Sequence, residues 1–400
     1  MTGSPADRLA VIGAGVSGCA LVAQLRRLGW HGDLSVWETG RGPGGRASTR
    51  RSRSDGGRRL DHGAPLFNIS SSPEPALLAP LLEGGWIEPW PGRLAQLDVD
   101  GALHPHPGDR LHGGRLFRGR GGMDQLCQGL LELAGGRVEL RFGTLVRHLA
   151  VTPTGPWQLL DDGQQLLDEA DWLVLSGTLL AHPRSQQLLG WEEPPLQPVA
   201  RSLGDPQLTE AMASIAALGY EPRCVLLLLI DASRADHWRK LPFRLLEFQP
   251  AARQRWGLER LALQPLEDGR CAVVVHSTDA FASRHLSVYG AGSAIARLQP
   301  TQPSGEREQA VIAELTAALQ QVLKHWISPC DLGDGPSKLM RWGAAFAQPP
   351  GLPAELMLCP QSRIGFCGDG LEGPGFGRVE GALLSGERLA NRLVSTLRAH

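Results

Sequence analysis

The residues with the clearest chemical purpose stand at the start of the chain. Gly13-Ala14-Gly15-Val16-Ser17-Gly18 is a GxGxxG pattern, and Glu38 follows 20 residues after its last glycine. Such a pattern cradles a pyrophosphate. Gly13 permits a tight turn, Gly15 lets the backbone approach the phosphates, and Gly18 lets a helix pack close to a strand. The helix that opens there offers free N–H groups and a partial positive charge to an anion. Glu38 stands where a carboxylate accepts from ribose hydroxyls, and its charge argues against a 2′-phosphate at that place.

These residues need a strand–helix–strand unit to position them. Residues 9–12 read as a short buried strand, residues 16–28 carry apolar side chains at helical spacing up to Gly29, and residues 34–37 read as a second strand. A bare GxGxxG is weak evidence; in this setting it predicts a dinucleotide site. A second pattern, Gly290-Ala291-Gly292-Ser293-Ala294-Ile295-Ala296, has no hydrophobic strand before it and reads as a loop leading into a helix.

The remaining chain is ordinary in bulk. It has 400 residues, 42% apolar and 20% charged, and a formal net charge of -1, so no global field selects nucleic acid or an anionic membrane. Only Lys240, Lys324 and Lys338 are lysines; arginine carries the positive charge. Seven scattered cysteines, with no CxxC and no zinc spacing, suggest free thiols in a reducing compartment and no metal site. Asp7 and Arg8 precede the first apolar run, which argues against a signal peptide. The strongest aliphatic run, residues 225–230, is far short of the roughly 20 residues that cross a bilayer. A cytoplasmic protein without an integral membrane segment is expected.

Residues 70–121, rich in Pro, Gly, His and Trp, read as an irregular excursion away from the sheet. Residues 123–133 look helical, and residues 138–142 and 173–175 look like strands that return to the first domain. Residues 224–230, 271–276 and 341–346 are further candidate strands, and residues 306–326 have strong helical spacing. The tail, residues 363–398, reads as strand, glycine loop and long helix.

Three more blocks carry a family signal: Arg41-Gly42-Pro43-Gly44-Gly45-Arg46, Asp61-His62-Gly63-Ala64, and Gly365-Phe366-Cys367-Gly368-Asp369-Gly370 followed by Gly377-Arg378-Val379-Glu380-Gly381-Ala382. With them the chain resembles the flavin-containing amine oxidase superfamily, and most of all its renalase-like branch, over about residues 8–68 and 363–395. The resemblance is weaker at Gly121-Gly122-Met123 and at Arg341-Trp342. It implies an α/β fold with a Rossmann-type, GR2-like FAD-binding domain that is discontinuous (1–70, 115–185 and 355–400). A second α+β substrate domain (71–114 and 186–354) would be built on a mainly antiparallel sheet. It also implies noncovalent FAD held by Gly13, Ala14, Gly15, Val16, Ser17, Gly18, Glu38, Gly44, Gly45, Arg46, Gly63, Ala64, Val138, Gly368, Asp369, Val379, Glu380 and Ala382. Arg46 with Gly44 and Gly45 would neutralise the pyrophosphate, and Asp369 would bond the ribityl or phosphate region. The helix starting near Val379 would aim its positive end at the flavin pyrimidine.

The activity so implied is an oxidase. A substrate C–H next to nitrogen gives hydride to flavin N5, and dioxygen takes the electrons and leaves as hydrogen peroxide. The leading substrate class is dihydronicotinamide nucleotide isomers. Amine oxidation, polyisoprenoid desaturation or isomerisation, and a non-catalytic binding protein on the same fold are alternatives. The tyrosines of a simple amine oxidase pocket are not evident, since only Tyr220 and Tyr289 are present. His62, His276 and Trp342 are candidate substrate-pocket residues, and Lys338 is a weaker candidate for ordering a water near the flavin. Arg50, Arg51, Arg53, Arg58 and Arg59 form either a solvated loop or a basic patch for an acidic substrate.

Overall fold

The computed structural model describes residues 8–51, 59–109, 111–151, 155–288, 304–332 and 337–399. Strand β1 (Arg8–Ile12), helix α1 (Val16–Arg27) and strand β2 (Asp33–Glu38) form the expected opening unit. β1 lies inside a six-stranded sheet, with strands in the order Val138–Phe142, β2, β1, Trp172–Leu175, Ile364–Phe366, Leu358–Cys359. The first five run parallel and the last is antiparallel. Leu9, Ala10 and Val11 are all buried, as a parallel strand covered on both faces requires. Strand order reverses beside β1, and such a reversal opens a crevice at the carboxyl ends of the strands.

The C-terminal helix (Val379–Ala399) returns to pack on α1. Gly386 makes this possible: a Cβ there would run into the carbonyl oxygen of Ser17. The two termini thus build one body.

A second sheet has seven strands, in the order Ser337–Gln348, Gly219–Ile230, Cys271–Ser277, Leu258–Pro265, Leu245–Phe248, Leu94–Leu97, Leu103–Pro105. All neighbours are antiparallel except Leu245–Phe248 with Leu94–Leu97. Leu226, Leu228 and Val273 on one face pack with Val311, Leu315 and Leu319 of the helix Gly305–Leu323. Ser304 caps that helix, its hydroxyl accepting from the Arg307 N–H. The other face carries Val225, Leu227, Val274 and Met340 against Leu66 and Trp342. Residues 225–230 are continuously apolar because both faces of their strand are covered.

Residues 70–121 correct the sequence reading. They do leave the first sheet, but they are not irregular: they contain the helix Leu78–Glu83 and the strand Arg115–Gly119, and their strands Leu94–Leu97 and Leu103–Pro105 complete the seven-stranded sheet. Three- and four-residue strands are too short to show alternation among so many prolines and glycines. The strands Leu245–Phe248 and Leu258–Pro265 also went unread, and the Gly290–Ala296 pattern lies outside the described residues.

Candidate functional site

The glycine loop has the conformation its sequence requires. Gly13 has a φ of 109°, in the region that favours glycine. A Cβ on Gly18 would collide with the Gly13 carbonyl oxygen, whereas one on Gly15 would meet nothing within 4 Å. Gly18 is therefore a packing glycine, and Gly15 leaves open space for a ligand. Glu38 reaches back to this loop: its Oε2 accepts the Ala14 N–H at 3.0 Å and its Oε1 accepts the Gly40 N–H at 2.5 Å. Gly44, with φ 133°, donates its N–H to the Ala14 carbonyl at 2.8 Å and joins the second glycine block to the first.

Arg46 and Asp369, 323 positions apart, form a two-pronged ion pair, Nη1 to Oδ2 at 2.7 Å and Nη2 to Oδ1 at 2.5 Å. Arg46 also donates to the Ala345 carbonyl at 3.3 Å. Gly63 lies directly against Arg46, since a Cβ there would strike the Arg46 carbonyl oxygen, which also accepts the Ala64 N–H at 3.0 Å. The sequence signals at 13–18, 44–46, 63–64 and 368–369 thus meet in one place.

Two connected cavities open there, one of about 280 Å³ and one of about 1200 Å³. Both are lined by Gly13, Glu38, Gly45, Arg46, Ser176, Trp342, Gly368 and Asp369. The smaller one also takes in Gly15, Val16, Ser17, Gly44, Gly63, Ala64, Val379 and Ala382, so the first turn of the C-terminal helix faces it. This donor set suits FAD: a Cβ-free loop over which phosphates can lie, a carboxylate for ribose, a guanidinium, and a helix N-terminus. Cys367, in the larger cavity, has its thiol pushed up to about 12 by burial, which disfavours the thiolate that covalent attachment would need.

Four of the expected cofactor residues line neither cavity. Ala14 spends its N–H on Glu38 and its carbonyl on Gly44. Gly18 serves helix packing. Val138 begins its strand beside Leu34, at the opposite end from the crevice; Val146, beyond that strand, lines the larger cavity instead. Glu380 is fully buried and turns the other way, accepting the N–H groups of Ser70 and Ser71 at 2.7 and 2.6 Å and pairing with Arg378.

Of the pocket candidates, Trp342 borders both cavities, His62 the larger and His276 the smaller. The Trp342 Nε1–H donates to the His62 carbonyl at 3.0 Å, and the two rings lie 5.4 Å apart. Burial first, then the charge of Arg50, lowers the His62 ring to about 4. A ring so held stays neutral near pH 7. Lys338 is exposed near the start of its strand and lines neither cavity. Tyr220 lines the larger cavity with its hydroxyl 2.8 Å from Thr178; Tyr289 lies outside the described residues.

Sequence reading missed Ser176, Arg260 and His112. Ser176 follows the strand Trp172–Leu175 at its carboxyl end, donates its hydroxyl to Gly13 at 2.7 Å, and was in principle findable from that position. Arg260 and His112 carry no local signal. His112 belongs to a group with His106, Asp109 and Glu247 whose possible ligand atoms lie within 4.8 Å of one another. Hydrogen bonding accounts for this group. The His106 Nδ1 accepts the Gly108 N–H, so its Nε2 carries the proton towards Glu247 at 3.1 Å. The His112 Nδ1 lies 3.0 Å from Asp109.

Two predictions concern carboxylates here. Glu38→Ala should weaken FAD binding by about 1.5–3 kcal/mol, the worth of a hydrogen bond to a charged group. Unchanged FAD retention on gel filtration would remove Glu38 from the ribose. Asp61 accepts from the Thr49 hydroxyl at 2.6 Å and the Met123 N–H at 2.9 Å, yet burial raises its carboxyl to about 6. Between its unfolded value, near 4, and 6 the folded chain binds more protons, so this group's stabilisation is lost as pH rises through that window. Asp61→Asn should remove about 3 kcal/mol of this pH dependence. Parallel melting curves for the variant and the parent from pH 4 to 7 would refute it.

Comparison with known proteins agrees with this geometry. Residues 11–80 match the model of an NAD(P)-binding Rossmann-like domain, and residues 97–394, well over half of the chain, match that of flavin containing amine oxidoreductase. The cyclohexylamine oxidase of Brevibacterium oxydans superposes with a TM-score of 0.64 at 16% identity, covering 98% of this chain and 100% of that one. A putative protoporphyrinogen oxidase from Exiguobacterium gives 0.63 at 13% identity, over 98% and 100%. Putrescine oxidase bound to putrescine gives 0.61 at 15%, over 97% and 99%. A Cupriavidus necator tRNA 5-methylaminomethyl-2-thiouridine biosynthesis bifunctional protein, MnmC, is 28% identical over 248 residues, which are 54% of this chain and 36% of that protein's length. The chain belongs to the flavin-containing amine oxidoreductase family and is an FAD-dependent oxidoreductase.

Proposed function

We propose that this enzyme oxidises a small substrate at a C–H next to nitrogen, that dioxygen is the final acceptor with release of hydrogen peroxide, and that dihydronicotinamide nucleotide isomers are the substrate class. Bound FAD supplies the two-electron acceptor; the chain supplies the binding and the water exclusion. The observation that carries the substrate class is the lining of the larger cavity, where Arg41, Arg50, Arg51, Arg59 and Arg341 accompany Trp342. Guanidinium groups suit the phosphates of a nucleotide, and Trp342 beside His62 offers a wall for a flat ring. Asp124 takes one of these cations, pairing with Arg51 at 2.6 Å.

In this reading Gly13, Gly15, Val16, Ser17, Glu38, Gly44, Gly45, Arg46, Gly63, Ala64, Gly368, Asp369, Val379 and Ala382 hold FAD noncovalently. His62, His276 and Trp342 face the substrate. The FAD-binding part comprises residues 1–70, 115–185 and 355–400, and residues 71–114 and 186–354 form the substrate part. Two cores support the division in part: Leu77, Leu78, Leu81 and Ile87 pack in the first core, as do Leu196, Val199, Leu208 and Ile215, which move the second boundary towards Gly219. Among the described residues no helix is long and apolar enough to cross a membrane. A cytoplasmic setting suits seven unbridged cysteines.

Amine oxidation is the second reading, favoured by the amine substrates named for two of the structural neighbours. Anaerobic mixing of the holoenzyme with dihydronicotinamide isomers and with an amine panel separates the two. The proposal expects rapid bleaching by the isomers and peroxide formation when air is admitted. Bleaching by amines alone, or by dithionite alone, overturns it.

A further inference from the structure

The smaller cavity continues past the nucleotide loop to the floor of the seven-stranded sheet. There it is bordered by three buried basic side chains: Arg260, His276 and His112. Their exposures are 8%, 3% and 5%. Arg260 and His276 are direct cross-strand partners and present the same face. The Nε of Arg260 and the Nε2 atoms of both histidines are buried without a hydrogen-bond partner.

Arg260 is the telling residue. Among the described residues its side chain makes no hydrogen bond and no ion pair, although Glu247 lies opposite it on the neighbouring strand. Glu247 is committed elsewhere: its carboxylate meets His106 at 3.1 Å, His112 at 3.7 Å and Arg253 at 3.9 Å. Glu259 is likewise taken, by Arg253 at 2.8 Å. A buried guanidinium without a partner is costly, and a fold retains one where a ligand supplies the missing anion. The recess lies close to the expected reacting position, since Trp342 borders the same cavity.

We propose that this recess is an oxyanion subsite, in which Arg260, with His276 and His112, binds a carboxylate or a phosphate carried by the substrate. The inference deepens the proposed function and rests on its reading that His276 and Trp342, which border the smaller cavity, face the substrate. The guanidinium donates to the oxyanion and supplies its counter-charge. The His112 Nδ1–H faces the Asp109 carboxylate, so its Nε2 donates to the ligand only when the ring is doubly protonated. The subsite selects the substrate and orients it; it performs no bond-breaking step.

The test is equilibrium binding to the holoenzyme, read by flavin absorbance and calorimetry, with benzoate, phenyl phosphate and neutral benzamide as probes. At least one oxyanion should bind ten-fold or more tighter than benzamide, and the better of the two identifies the group. Arg260→Met should lose that advantage at unchanged FAD content, and Arg260→Lys should keep part of it. If Arg260→Met does not fold, His276→Gln and His112→Gln provide the same reading and should each weaken oxyanion binding several-fold. Equal binding of amide and oxyanions by the parent enzyme, or undiminished oxyanion binding by the variants, overturns the subsite. No turnover is needed, so failure of every candidate reductant would sink the proposed reaction and leave this result standing.

Discussion

Gly18→Val is expected to yield an enzyme purified without flavin and destabilised by about 3 kcal/mol or more. The sequence marks Gly18 as the third glycine of a phosphate loop, and the structure shows what it does. Even a Cβ at this position runs into the carbonyl oxygen of Gly13 and crowds the Ser176 hydroxyl at 2.7 Å. Neither obstacle can move cheaply. Gly13 is the turn itself, and Ser176 is tied to it by its hydrogen bond. Overpacking usually costs about 1–3 kcal/mol, and more where backbone is the obstacle. The loop must shift, so the phosphate N–H groups leave their places and FAD affinity should fall about 100-fold or more. Flavin content and melting temperature read the two effects together. Full flavin occupancy at the parental melting temperature would show that the loop tolerates the side chain and would remove Gly18 from the argument.

Arg46→Met should have the next largest effect, and it divides into two parts. The first is stability. The Asp369 carboxylate, 10% exposed, would lose its only side-chain partner among the described residues. Breaking a fully buried pair costs about 3–5 kcal/mol, but the Arg46 side chain is 40% exposed, and screening reduces the expectation to about 1–2 kcal/mol. The second part is cofactor binding. A guanidinium facing both cavities is removed, and loss of charge-assisted hydrogen bonds to phosphate should raise the FAD dissociation constant about 100-fold. The double variant Arg46→Met/Asp369→Asn separates the parts: it should recover stability and leave FAD binding weak. Recovery of both would mean that Arg46 acts only through Asp369.

Arg46 and Asp369 also show how far the sequence could be read. Both were legible as single cofactor residues, because glycine blocks flank each of them. Their partnership was not legible, since nothing local links positions 323 apart. The same limit separates Glu380 from its neighbours. It sits in a motif beside Val379 and Ala382, which do line the cavity, but a helix turns about 100° per residue, and Glu380 points to the loop at Ser70 and Ser71. Val138 was placed on the correct strand and at its wrong end. Strand pattern gives the element, while the crevice forms only where the carboxyl ends gather.

The irregular reading of residues 70–121 had a different cause. Strand signals depend on alternation over several residues, and Leu94–Leu97 and Leu103–Pro105 are too short for that. They become strands because an edge at Leu245–Phe248 is available to pair with them. That is a tertiary event.

By itself the sequence determined the cofactor class and the element that holds it. Glycine turns, a carboxylate at the end of the second strand and a helix start are short-range devices, and their spacing is set by one strand–helix–strand unit. Only the tertiary structure brought together the residues of the proposed substrate end. Arg260, His276 and His112 come from two strands and a loop far apart in the chain, and each keeps a buried nitrogen that has no hydrogen-bond partner among the described residues. An unpaired buried charge is a property of packing around a residue, and no local pattern of residue types records it.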